Sequence, residues 1–101
     1  MKRQPLRAFK VSRKGYIMEV AIYEVPVNAK TSQGYRFRCF LVDPVSGEEL
    51  VGYDNHWPKG PHRHLRGREE PYVFQTIEQL LYDFEQDCAR VLGEEEEDEA
   101  S

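Results

Sequence analysis

Thr76-Ile-Glu-Gln-Leu-Leu-Tyr-Asp-Phe-Glu-Gln-Asp-Cys-Ala-Arg-Val-Leu-Gly93 decides the fold, because here the apolar period changes from two residues to that of a helix. Ile77, Leu80, Leu81, Phe84, Cys88, Val91 and Leu92 share one helical face, and Glu78, Gln79, Asp83, Glu85 and Gln86 occupy the rest. Thr76 is a good N-cap, predicted to pair with Gln79 as a capping box, and Gly93 suits the left-handed residue past the end. Such a helix, about 24 Å long at 1.5 Å per residue, must bury its stripe, and Leu81 and Phe84 are expected in the core.

What it packs on lies upstream. Tyr16, Met18, Val20 and Ile22 alternate with Ile17, Glu19, Ala21 and Tyr23, and Tyr35, Phe37, Cys39 and Leu41 alternate with Arg36, Arg38, Phe40 and Val42. Both runs are half-buried strands. The second puts Arg36 and Arg38 on one sheet face, either towards a ligand or simply in solvent. Pro26 ends the first strand, and the polar run 28–34 loops to the second. Asp43-Pro44-Val45-Ser46-Gly47 is a turn, residues 50–53 make a third strand, and 71–74 form a short extended piece that can be a fourth. The expected class is α+β: a small antiparallel β-meander of three to four strands with one C-terminal amphipathic helix on a face.

The ends extend beyond that body. Residues 1–14 carry six cations and no acid and suggest a basic N-terminal arm; residues 15–93 suffice for one α+β domain; residues 94–101 form an acidic block expected to be a disordered tail. The net charge of -4 conceals a polarised chain. Residues 1–68 carry thirteen Lys and Arg against six acids, whereas residues 69–101 carry Arg90 alone against twelve. Either a polyanion-binding face with an acidic appendage or two solvated ends of opposite sign fits that asymmetry. No apolar run approaches the roughly 20 residues that span a bilayer, and no apolar segment follows the basic start, so a soluble, cytoplasmic protein without a membrane role is expected. Cys39 and Cys88 fall at apolar positions, as small hydrophobes in a reducing compartment do.

Residues 53–68 hold all three histidines, the only tryptophan and four cations, interrupted by two prolines and two glycines. That composition predicts a long functional loop starting at a strand end. His56, His62 and His64 have the spacing H-x5-H-x-H, and Asp54 would complete a four-donor zinc set, but Lys59, Arg63, Arg66 and Arg68 interleave like charge with the ligands. We therefore expect no metal and no other cofactor. Histidines among cations suit metal-independent RNA cleavage: one imidazole takes the proton of the attacking 2'-hydroxyl, another protonates the leaving oxygen, and guanidinium groups stabilise the phosphoryl charge. Histidine serves either role near neutral pH. In this scheme His56, His62 and His64 supply acid and base, Asp54 orients an imidazole, Lys59, Arg63, Arg66 and Arg68 bind phosphate, and Trp57 and Tyr53 stack on bases. The alternative is that His56 and Trp57 pack the loop while His62 and His64 are merely exposed.

Tyr53-Asp54-Asn55-His56, His62-Arg63-His64, Pro71-Tyr72 with Phe74, and Leu80-Leu81 with Asp83-Phe84 in the helix together resemble the small TumE-type toxins of bacterial and archaeal toxin-antitoxin pairs, over residues 16–92. The resemblance implies a toxin neutralised by a cognate antitoxin, commonly a helix-turn-helix protein, and an activity directed at RNA. It transfers no catalytic residue. Two functions follow: a metal-independent endoribonuclease toxin, or a nucleic-acid or protein binding module whose histidine loop does no chemistry or is stapled by zinc.

Overall fold

The computed structural model describes residues 5–94. The chain runs β1 (Arg7–Arg13), β2 (Tyr16–Glu24), β3 (Tyr35–Val42), β4 (Glu49–Asp54), β5 (His62–Leu65), β6 (Arg68–Pro71) and α1 (Ile77–Leu92). All six strands pair in sequence order as one antiparallel meander. The class matches the expectation; the strand number does not. The three or four strands expected become six because Arg7–Arg13, in the stretch taken for a basic arm, pairs with β2, and because the histidine stretch itself contains β5 and starts β6.

The same device makes both additions. Lys14-Gly15 and Arg66-Gly67 join their strands through two residues, each with positive φ (53° and 83°, 48° and 84°). That is the requirement of a type I′ hairpin, whose twist matches that of the strands. The arginine or lysine at the first position accepts a left-handed backbone that glycine occupies freely at the second.

α1 lies across β3 and β4 on one face of the sheet. Leu80, Phe84 and Cys88 are buried against Cys39, Leu41, Val51 and Tyr53, and Phe84 meets Tyr53 edge-on with centroids 6.1 Å apart. Leu81, expected in the core, is only half-buried at its margin; Leu80 takes the central place. Thr76 caps the helix by accepting from the Gln79 backbone N–H at 3.0 Å. The Gln79 side chain does not return to the cap: it donates to Asp83 Oδ1 at 2.8 Å, so half of the capping box is diverted to a helix neighbour. At the other end the Gly93 and Glu94 amides donate to the Arg90 and Ala89 carbonyls, the paired bonds of a Schellman ending.

Asp87 is buried with 3% exposure. It accepts from the Tyr53 hydroxyl, from Arg63 through Nε at 2.8 Å and Nη2 at 2.9 Å, and from Arg90 at 3.2 Å. This charged cluster ties α1 to β4 and β5; it raises the Arg63 guanidinium pKa through the Asp87 hydrogen bonds, and burial with the same carboxylate raises that of Tyr53. Cys39 and Cys88 are free, and burial pushes both thiols up to about 12. Glu94, the first residue of the acidic block, pairs with Arg13 and Lys14. The expectation of a disordered tail for the remainder falls on residues 95–101, outside the described residues.

Candidate functional site

Because strand side chains alternate between faces, β5 sends His62 and His64 to the side of the sheet away from α1 and Arg63 and Leu65 to the helix side. Pairing then assembles the neighbours. His62 stands opposite Asp54 on β4, and His64 stands opposite Gly52 on β4 and Glu69 on β6. Asp54 in turn pairs with Arg38 on β3. Arg36, Arg38, Asp54, His62, His64 and Glu69 thus share one sheet face, and His56 joins them from the segment leaving β4.

The contacts are specific. Asp54 Oδ1 accepts from the His56 backbone N–H at 3.1 Å and lies 3.2 Å from His62 Nε2. His62 Nδ1 faces the Gly60 carbonyl at 2.9 Å, so that nitrogen carries the proton and Nε2 is turned to the carboxylates of Asp54 and, at 3.8 Å, Glu69. His56 Nδ1 faces the Arg36 guanidinium at 3.2 Å; since arginine only donates, this nitrogen holds its lone pair. Lys59 pairs with Glu69 and holds that carboxyl below its ordinary pKa. Arg36, Phe37, Arg38, Asp54 and His56 line an open cleft of about 320 Å³.

What holds the segment between β4 and β5 is Asn55, 1% exposed. Its Oδ1 accepts from the Phe37 amide at 3.0 Å, while Nδ2 donates to the Tyr35 carbonyl and to Gln33 Oε1. A buried amide satisfied on both ends fixes the start of the segment to β3, as the cost of unpaired buried polar atoms requires. The Trp57–Pro58 peptide is cis. Trp57 is 47% exposed, with the Lys30 ammonium 5.9 Å from its ring centre.

The ten sequence-predicted residues therefore divide. Asp54, His56, His62 and His64 come together, with Lys59 beside them and Trp57 exposed on the neighbouring segment. Arg63 and Tyr53 lie on the helix side in the Asp87 cluster; Arg66 sits in the β5–β6 turn with Nη2 3.5 Å from the Val91 carbonyl; Arg68 stands opposite Leu65. Two arginines take up the position next to the histidines, Arg36 and Arg38, with the Arg38 guanidinium 4.8 Å from the Phe40 ring centre. Their shared face was readable from the R-x-R spacing; their proximity to the histidines was not. Asn55 stands out in the sequence only as part of the Tyr53-Asp54-Asn55-His56 motif, and Glu69 and Asp87 carry no sequence signal beyond being polar.

His62, His64 and Glu69 also offer three metal-ligating atoms that all lie within 4.8 Å of one another. Among the described residues no helix is long and apolar enough to cross a membrane. A family model described as Toxin TumE matches residues 2–92. No curated protein and no solved structure matches the chain.

Proposed function

The chain belongs to the TumE toxin family, and from that premise we propose that it is the toxin of a toxin-antitoxin pair that acts by cutting RNA in the cytoplasm without a metal. The family implies an antitoxin; a helix-turn-helix protein encoded beside it is the partner we propose. One observation carries the RNA-cutting proposal: Asp54 holds the His62 ring through Nε2 and the His56 backbone through its N–H, and the His56 ring meets Arg36 on a face that also presents Arg38.

Arg36 and Arg38 receive the phosphate in the cleft they line with His56. As Arg36 turns to the phosphate it frees His56 Nδ1, whose lone pair then takes the 2'-hydroxyl proton. The doubly protonated form of His62 has an acceptor for each nitrogen, the Gly60 carbonyl and Asp54, and supplies the proton for the leaving oxygen. His64 and Lys59 extend the face along the RNA, and Trp57 offers an exposed ring to an unpaired base.

The test is expression of the wild type beside a variant with His56, His62 and His64 all changed to alanine, followed by digestion of RNA with the purified proteins. The wild type should arrest growth and cut RNA, and the variant should do neither while retaining its melting transition. A triple variant as toxic and as active on RNA as the wild type overturns the catalytic proposal in favour of a binding module.

A further inference from the structure

The sequence argued against a metal because cations alternate with the histidines, yet in a strand alternation separates them. Arg63 is turned to the helix side and neutralised by Asp87 and Glu70; Arg68 stands opposite Leu65, whose side is also the helix side. Arg36, Arg38 and Lys59 remain on their side, but the charged groups in direct contact with the His62 and His64 rings are carboxylates: Asp54 Oδ1 at 3.2 Å from His62 Nε2, Glu69 Oε2 at 3.8 Å from the same nitrogen, and Glu69 Oε1 at 3.5 Å from His64 Nε2. Tetrahedral zinc with bonds of about 2.0–2.1 Å sets its ligand atoms roughly 3.3 Å apart, so small side-chain rotations bring His62, His64 and Glu69 onto one ion.

We propose that His62, His64 and Glu69 bind one divalent transition-metal ion of the zinc class, and that the bound ion silences the neighbouring proton-transfer site; the silencing, though not the binding, rests on the RNA-cutting function proposed above.

Three further features fit. The His62 ring is already oriented as a ligand, its Nδ1 proton donated to the Gly60 carbonyl at 2.9 Å, which leaves Nε2 for the ion. Two imidazoles with one carboxylate select zinc-like ions over magnesium or calcium, which prefer oxygen ligands alone. The Lys59 ammonium on Glu69 marks a position that already attracts a cation, and its exposed, flexible stem allows it to leave when the ion enters. Asp54 or a water can take the fourth position. Coordination captures His62 Nε2, the atom assigned to protonate the leaving oxygen, so an occupied site cannot perform that step.

The full chain, freed of metal with a chelator, is titrated with zinc chloride by calorimetry and with cobalt(II) by visible absorption. We expect one ion per chain and a tetrahedral cobalt spectrum. His64→Gln and Glu69→Gln should each weaken binding by at least the 10- to 100-fold that changes around a metal site commonly cost, roughly, without altering the far-ultraviolet circular dichroism; His56→Gln should leave the stoichiometry intact. In parallel, one equivalent of zinc should suppress RNA cutting by the wild type, a chelator should restore it, and Glu69→Gln should keep cutting in zinc. Absence of saturable binding, or binding indifferent to His64 and Glu69, overturns the site whatever the activity. Zinc binding by a protein that cuts no RNA with or without metal upholds the site and overturns the nuclease proposal. Cutting that rises with zinc overturns the silencing.

Discussion

His62 and Arg63 are adjacent in the chain and sit on opposite sides of the sheet. On the side away from α1, His62, itself buried, and the half-buried His64 share a face with Arg36, Arg38, Asp54 and Glu69; on the helix side, Arg63 is held by a buried aspartate. Both regions are polar and charged, but they differ in where their hydrogen bonds go. The helix-side groups satisfy one another, so their charge is spent on holding α1 in place, whereas His56, Arg36 and Arg38 border an open cleft. The stretch that looked like one basic loop is thus a structural clamp and a candidate site back to back.

A large expected effect tests the clamp. Asp87→Ala leaves the Tyr53 hydroxyl without its acceptor and Arg63 with Glu70 alone, and should destabilise the fold by about 3 kcal/mol, the low end of the cost of breaking a buried pair because Arg63 is partly exposed and keeps one carboxylate. Denaturant unfolding measures it; a loss under about 1 kcal/mol, the value of an exposed pair, would remove the distinction between the two sides. Next, Leu80→Ala should cost about 2–5 kcal/mol as a central cavity, and Leu81→Ala distinctly less because it is half-buried at the margin. Equal losses at the two positions would mean that α1 is rotated from the orientation described. The smallest effect sharpens the contrast on the open side. Arg38→Ala should weaken RNA binding uniformly across sequences and lower the dependence of log affinity on log salt by about 1, with stability unchanged within roughly 0.5 kcal/mol. Arg66→Ala, in the turn, should leave that slope intact. The reverse pattern would place the phosphate contacts where the loop composition first suggested and not on β3.

The fold class was legible because its signals are local. The stripe from Ile77 to Leu92 and the two long alternating strands need only their own periodicity to be recognised. β1, β5 and β6 escaped because each is short or rich in charge and because Lys14-Gly15 and Arg66-Gly67 read as breaks, although a two-residue link ending in glycine also suits a tight hairpin. Phe9 and Val11 do alternate with Lys10 and Ser12, but among six cations in fourteen residues that period is weak.

By itself the sequence determined one α+β body with a single capped helix, the shared face of Arg36 and Arg38, and the concentration of imidazoles before the last strand. These follow from periods of 2 and 3.6 residues, which any segment carries within itself. Tertiary structure alone decided that β5 pairs with β4 and β6 in the register that sets His62 against Asp54 and His64 against Glu69, and that Asp87 reaches Arg63 from the helix. Register is a non-local quantity: a one-residue slip would exchange the two sides of β5 and put Arg63 among the carboxylates. Leu65 packed on the core and Arg63 bound to the buried Asp87, both on the helix side, are what oppose that slip.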